Sequence, residues 1–553
     1  MKNFTFLLLI LSFGCSSQTK ASIEAETESK NHPKVDSIIN AIKSKYDLSG
    51  ISIAMVNPES ETLLKNIGYT NSNSKKEITD TTLFSAQSIS KIFTSLACLS
   101  AVKEGFLDLD ISITKYLPNF SINSAHEEYA ASKITLRHLL SHMSGLPPDA
   151  PDGNIFTPQF KGNLYTTLNQ RIKSMKHLWL RTKVGSQYNY SNIGFDLVAR
   201  IIEVSSGKSF HEYVQQKVLN PLNMKYSTFN LDAIQYSLNV AQGHCNNFDG
   251  LIPVRFSSIG SGGLYTCSRD MANFLNSSLK GFPEILDDDQ LSELTTIPFS
   301  NASNGYALGL TINQIQYCTP TYGHTGNGFG FTSLVLWIPE YKIGIAIMCN
   351  RESAFSGLQK IQRVLLNKFM PSEIADLPCH SLAEYSSYFK KDDETYYKYI
   401  AGDYSNGNVT LTFETRDNTF GVLAPNDGSY RNVYFLSKNE WFIKDSEIVQ
   451  FLYKNEQIIN LNNGMTFVKI DVNPIEKGPN NPNWNEYTGR YRSYAYGVLE
   501  STEFIDIENG YLTLNNSLLK EYIPDVFFDQ FGQIVDFRNE TVQIEYGRYM
   551  KID

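Results

Sequence analysis

From about residue 396 to the end of the chain apolar side chains recur at every second position, whereas upstream of residue 370 helical spacing alternates with short strands. A chain with such a switch cannot be one uniform architecture. Val409–Phe413, Val433–Leu436, Ile448–Tyr453 and Phe467–Ile470 read as strands of an all-β region. Tyr399-Ile400-Ala401-Gly402-Asp403-Tyr404 is echoed 88 residues later by Tyr487-Thr488-Gly489-Arg490-Tyr491, beyond the Pro- and Asn-rich stretch 473–483. Two tandem modules, or two halves of one barrel, would each fit that repeat. Upstream, Val35, Ile38, Ile39 and Ile42 predict an amphipathic helix, and 52–56 and 61–69 predict strands. Helical patterns follow at 91–103, 137–141, 194–204 and 269–279, and strands return at 332–338 and 343–349. Strands at both ends with helices between predict an α+β domain whose sheet is assembled from both termini and packed by helices. The resulting division is 34–370 for this domain, 371–395 for a polar linker, and 396–472 and 484–553 for two barrel-like β modules.

The first residues add an export signal. A basic Lys2 precedes the apolar run Phe4–Phe13 and then Gly14-Cys15, so 1–14 reads as a signal peptide too short to span a bilayer as a helix. Cys15 resembles a bacterial lipoprotein acceptor; the simpler alternative is a cleaved signal with an incidental cysteine. Residues 15–33 read as a polar tether. The chain is therefore expected to be exported and lipid-anchored at the cell envelope, its membrane contact made by the lipid. With 48 Lys and Arg against 57 Asp and Glu, a net charge of -9 and no basic run, nucleic acid is excluded as a main partner. The other cysteines, 98, 245, 267, 318, 349 and 379, form no Cys-x-x-Cys, so neither a zinc site nor a redox pair is suggested, and their pairing stays open. Cys98 and Cys349 lie in apolar runs and read as small buried hydrophobes.

Chemistry enters at Ser88-Ile89-Ser90-Lys91, a Ser-x-x-Lys at a predicted helix start. Three-residue spacing puts both side chains on one helical face, and first-turn N–H groups are free to meet a developing oxyanion. Lysine at its ordinary pKa of about 10.4 is a poor base, so the site requires burial or cationic neighbours. The spacing alone discriminates little, since Ser72/Lys75, Ser100/Lys103, Ser205/Lys208 and others share it. Two further motifs supply context: Tyr190-Ser191-Asn192 at the entry to a helix, and His324-Thr325-Gly326 just before a strand.

This ordered set resembles the serine β-lactamase and penicillin-binding-protein superfamily, in which Ser-x-x-Lys, Tyr-x-Asn and Lys/His-x-Gly line one cleft. Similar stretches stand at Ile134–Leu146, Asn220–Met224 and Gly262–Thr266. The resemblance covers 34–370 and implies a β-lactamase/transpeptidase-like antiparallel sheet packed by helices. It further implies acyl transfer: Ser88 as nucleophile, Lys91 and Tyr190 moving its proton, Asn192 bonding the substrate amide or Lys91, and His324, Thr325, Gly326 and the backbone N–H of Asn327 binding substrate. No cofactor or metal is implied. Tyr69-Thr70-Asn71 and Tyr404-Ser405-Asn406 repeat the second motif out of order, and Tyr188 lacks an Asn two residues on.

Departures from the pattern sort the branches. Tyr-Ser-Asn and His-Thr-Gly stand where class A β-lactamases have Ser-Asp-Asn and Lys-Thr-Gly, which disfavours that class. The set is closer to D-alanyl-D-alanine carboxypeptidases, D-aminopeptidases and esterases than to class C β-lactamases. The expected substrate is thus a small amide, ester or D-amino-acid peptide; a class C-like β-lactamase and a non-catalytic penicillin-binding sensor or scaffold lipoprotein are the alternatives. His324, at its ordinary pKa of about 6.5, is expected to lose its grip on a substrate carboxylate through neutral pH. His138 and His142 read as scaffold rather than as a metal pair, and Gly260–Gly263 as a backbone turn near the cleft. By analogy, the β modules are candidates for shaping the cleft mouth or joining identical subunits.

Overall fold

The computed structural model describes residues 33–370 outside 58–61, 72–74, 150–166, 245–257, 300–304 and 314–318, and residues 400–552 outside short stretches that lie chiefly between strands. Residues 1–32, with the expected signal, Cys15 and nearly all of the tether, lie outside the described residues, as does the 371–395 linker. Among the described residues no helix is long and apolar enough to cross a membrane.

The first domain is organised by an antiparallel sheet of seven strands: β1 (Gly50–Val56), β2 (Leu63–Gly68), β5 (Gly305–Tyr306), β6 (Thr311–Asn313), β7 (Thr321–Gly328), β8 (Phe331–Ile338) and β9 (Ile343–Cys349). Their order is β2-β1-β9-β8-β7-β6-β5, so the strands expected from both ends of the domain meet where Ile51 faces Cys349. Both central strands are buried along their full length. Alternation explains it. Ile51, Ile53, Met55, Ile343, Ile345 and Ile347 pack under the terminal helices Pro33–Lys45 and Phe355–Phe369, while Ala54, Val56, Ala346 and Met348 join the main core on the other face. Helices on both faces are why these strands read as continuous apolar runs, with each buried Ile contributing about 1.5–3 kcal/mol. Cys98, Cys267 and Cys349 are free and buried.

The main core holds the helices Ser90–Lys103, Asn192–Ser206 and Ser268–Ser278 against the sheet. A separate pair of short strands, β3 (Phe84–Ser85) and β4 (Tyr265–Thr266), lies beside it.

The C-terminal region is all-β and forms two sheets, which decides between the two readings of the repeat. Strands between Gly402 and Lys469 close an eight-stranded barrel in which Tyr404 pairs with Lys469 and Trp441 is fully buried. Strands between Gly489 and Lys551 form a nine-stranded sheet whose two edges, Ser517–Leu518 and Lys520–Ile523, are neighbours in sequence, so it curls almost closed. Each module opens with the same device: the Tyr404 hydroxyl donates to Ile400 O at 2.9 Å, and that of Tyr491 to Tyr487 O at 2.6 Å. The structural repeat therefore aligns Tyr404 with Tyr491, an offset of 87 rather than the 88 counted from the leading tyrosines.

The second module sits directly on the first domain. Trp179 inserts against Val526 and Ile534, with Tyr522 and Phe528 edge-on at 5.6 and 5.8 Å and the Arg538 guanidinium 5.9 Å from its ring centre.

Candidate active site

Ser88 is delivered by β3 into a tight 3-10 turn, Gln87–Ile89, just ahead of the Ser90–Lys103 helix. Gln87 takes a φ of +50°, a conformation that costs a non-glycine residue about 1–2 kcal/mol. Hydrogen bonds hold it there. Ser90 Oγ donates to Gln87 O at 2.6 Å and accepts from Leu264 N at 2.9 Å, and Gln87 Nε2 donates to Ser85 Oγ at 2.8 Å. The result is a partly exposed hydroxyl on a braced corner, with Lys91 one turn on.

Lys91 is completely buried. Its Nζ donates to Ser88 Oγ at 3.0 Å, Asn192 Oδ1 at 2.8 Å and the Ser261 carbonyl at 3.1 Å, and lies 4.7 Å from the centre of the Tyr190 ring. Burial brings its pKa down to about 7, against the opposing pull of Asp196 and Asp149. The amine required by the sequence argument is thus substantially unprotonated at neutral pH. Tyr190 donates to Ser88 Oγ at 2.9 Å, while burial holds its phenol well above the ordinary range. Of the two groups touching Ser88, the amine is the base that neutral pH makes available.

Tyr190 and Asn192 are fixed by the entry to the Asn192–Ser206 helix. Ser191 caps it, accepting from Gly194 N at 3.3 Å and donating to Pro147 O at 2.7 Å. Asn192 Nδ2 reaches back to Asp149 Oδ2 at 3.1 Å. The Ile259–Gly262 turn packs so closely on this helix that a Cβ at Gly260 would stand 2.4 Å from Phe195 O, and that approach brings the Ser261 carbonyl to Lys91. Only glycine fits there. This is the role expected of the Gly-rich stretch, made specific.

The third motif lies on β7. Alternation puts His324 and Gly326 on the buried face and the exposed Thr325 and Asn327 on the other. A Cβ on Gly326 would be 2.4 Å from Ala86 O, so glycine is what lets the strand touch the nucleophile turn. Gly323 O accepts from Thr311 Oγ1 on β6, and the same edge carries the backbone N–H of Thr325 and Asn327, where β6 has already ended at its pairing of Thr311 with Gly323. The Asn327 N–H is thus on an open edge. Its side chain accepts from Thr332 Oγ1 at 3.1 Å and Ser353 N at 2.8 Å, which pins the turn.

His324 departs from expectation. Its Nδ1 is 2.5 Å from Thr325 O, an acceptor, so Nδ1 carries the proton; Nε2 then accepts from Tyr306 OH at 2.9 Å. Desolvation, with the nearby Lys91 charge, drives its pKa down to about 3. The expected titration through neutral pH is replaced by a permanently neutral imidazole with both nitrogens occupied, because the strand's period turns it inward.

Sequence reasoning missed several neighbours. His142 sits against the Tyr190 ring at 4.2 Å and the Tyr306 ring at 4.5 Å, with Nδ1 accepting from Ser191 N at 3.0 Å. It belongs to the site wall, whereas His138 completes a capping box with Thr135 and stacks on Phe299 at 4.6 Å. Tyr188 packs beside His142 and does not reach Ser88. Tyr404 of the out-of-order motif is barrel core. Asp149, Arg171, Asp196 and Ser261 gather around Lys91 from four separate segments. Among the described residues no group of His, Cys, Asp and Glu gathers as a metal site would.

An antiparallel sheet flanked by helices, with Ser-x-x-Lys, Tyr-x-Asn and His-x-Gly converging on one hydroxyl, defines a class of serine acyl-transfer folds. The model of the Beta-lactamase family matches residues 35–367, and the chain belongs to that family. Protein flp of Staphylococcus aureus (strain MW2) is 27% identical over 337 residues, 58% of this chain and 64% of that protein. The chain thus spans somewhat under two thirds of the length of the Staphylococcus relatives it matches. The D-alanyl-D-alanine-carboxypeptidase/endopeptidase AmpH of Escherichia coli (strain K12) is 28% identical over 282 residues, 48% of this chain and 70% of that protein. Among solved structures, the octameric penicillin-binding protein homologue from Pyrococcus abyssi shares the fold at a TM-score of 0.52 and 23% identity, over 79% of this chain and 99% of that one. D-amino acid amidase from Ochrobactrum anthropi SV3 does so at 0.50 and 21%, over 61% and 100%.

Proposed function

We propose that this protein is a serine hydrolase that opens small amides, esters or D-amino-acid peptides through an acyl-enzyme on Ser88. The observation that carries the reading is the double contact of Ser88 Oγ, 3.0 Å from Lys91 Nζ and 2.9 Å from Tyr190 OH. In the first half-reaction the neutral Lys91 amine takes the hydroxyl proton as Oγ adds to the carbonyl carbon. The oxyanion is met by the backbone N–H groups of Ser88 and Asn327. Tyr190 gives its proton to the departing amine or alcohol and is reprotonated from Lys91, leaving the acyl ester. Water then adds by the reverse path, and Ser88 regains its proton.

The likeness to AmpH supports an amide or peptide substrate. Against a free carboxylate held by His324 stands the neutrality of that imidazole, so Thr325 and the open edge of β7 are the substrate contacts on this side. Export and anchoring through a lipid on Cys15 complete the reading, supported by the apolar run 4–13, and the β modules are its candidate subunit contacts.

A fluorophosphonate probe tests it: the full chain should be labelled, Ser88→Ala should not, and D-amino-acid amides or p-nitrophenyl esters should be turned over. Labelling that survives Ser88→Ala would overturn the assignment, and stable acylation without turnover on any of these would favour the sensor alternative.

A further inference from the structure

Around Lys91 the hydrogen bonds close into a ring. Lys91 Nζ donates to Asn192 Oδ1 at 2.8 Å, and Asn192 Nδ2 to Asp149 Oδ2 at 3.1 Å. Arg171 binds Asp149 with one arm and donates from Nε to Asp196 Oδ2 at 2.7 Å. Asp196 Oδ1 accepts from Ser261 N at 3.1 Å, and the Ser261 carbonyl accepts from Lys91 at 3.1 Å. Arg171, Asp196, Ser261 and Lys91 are all buried. Two carboxylates therefore stand one step from the amine on either side, and a single guanidinium, on the helix Leu168–Ser174, joins them.

We propose that Arg171 is a positioning residue of this site: by pinning Asp149 and Asp196 it fixes Asn192 and the Ser261 carbonyl about the Lys91 amine and balances the charge that amine experiences. The physical reason is that the fully buried Asp196 carboxylate, without a counter-ion, would be too desolvated to stay ionised, while a fork-shaped cation can hold it and the half-buried Asp149 in fixed geometry. Arg171 touches neither Ser88 nor substrate. It acts through the groups that do. The balance is visible in the site: Asp149 and Asp196 both pull the Lys91 proton affinity upward, while Asp196 itself is lifted to about 6 by burial against the opposing effect of Arg171. The other groups facing the amine are neutral: Tyr190, and His142 and His324, whose protonation Lys91 and burial oppose.

This inference rests on the acyl-enzyme reading, and its test separates the two. The probe is the rate of fluorophosphonate labelling and the kcat/KM for an uncharged p-nitrophenyl ester, each followed against pH in the full chain. Wild-type protein should show an acid limb near pH 7, set by Lys91. Arg171→Gln removes the cation that keeps Asp196 ionised, so Asp196, already lifted to about 6, takes up a proton and its upward pull on Lys91 is lost; the limb should move down by about one pH unit. Asp149→Asn, at a half-buried position, and Asp196→Asn each remove a negative charge and should move it down by a similar amount, with Arg171→Lys falling between wild type and Arg171→Gln. A displaced limb in protein that is still labelled at Ser88, brought back toward wild type by Arg171→Lys, cannot come from a general loss of fold. A limb that stays in place in Asp149→Asn and in folded Arg171→Gln would overturn the role of Arg171 while leaving Ser88 chemistry standing. A wild-type protein that is never labelled would instead remove the acyl-enzyme reading itself.

Discussion

Lys91 lies between two buried polar regions built on opposite principles. On one side Arg171, Asp149 and Asp196 are joined by ion pairs in a closed circuit. On the other side His142, Tyr188, Tyr306 and His324 are packed ring against ring, and each stays neutral because desolvation opposes its charged form. The first region raises the proton affinity of Lys91, and burial of the amine lowers it. An amine placed between them loses its proton near pH 7, where a lysine in water holds it to about 10.4. A base can thus be tuned by its address, without a unique partner.

Three changes break or sharpen that contrast. Lys91→Met removes the group both regions act on, and kcat/KM for an uncharged ester should fall on the order of 10³- to 10⁴-fold. Stopped-flow labelling with the fluorophosphonate would check whether the loss lies in acylation. Tyr190→Phe deletes the phenol but leaves the amine in place. Turnover should drop on the order of 10²-fold with the acid limb still near 7, and a limb that disappears would transfer the base role to Tyr190. The smallest effect belongs to the neutral side. Tyr306→Phe removes one hydrogen bond from His324, and activity should change by less than about tenfold, the worth of one neutral hydrogen bond. In wild type the ratio of rates on a carboxylate-bearing substrate and its amide should stay flat between about pH 5 and 8, since His324 titrates far below that window. A sigmoid near 6.5 would restore the charged role that its sequence position first suggested.

Much of the molecule was legible from residue order. Ser88, Lys91, Tyr190 and Asn192 announce themselves by fixed local spacing, and the structure gathers them around one hydroxyl. The change of apolar period likewise marked the C-terminal region as all-β. What stayed hidden is what depends on distant partners. Asp149, Arg171 and Asp196 share no local pattern, because a circuit closed in three dimensions leaves no periodic trace. His324 was read with the pKa of a solvated imidazole, since its burial depends on which face of β7 turns inward. The short strands β5 and β6, of two and three residues, carry too few side chains for any period to register. Trp179 gave no sign that the last module would cover it.

The pairing of β1 with β9 also sets an order of events. Ser49 Oγ donates to Asn350 O across 301 residues of chain, and the sheet has no interior without both strands. Contacts this remote close late. A ribosome would therefore release Ser88 and Lys91 long before the strand that gives them a cleft, and the growing polypeptide would carry its nucleophile unarmed until synthesis has passed β9.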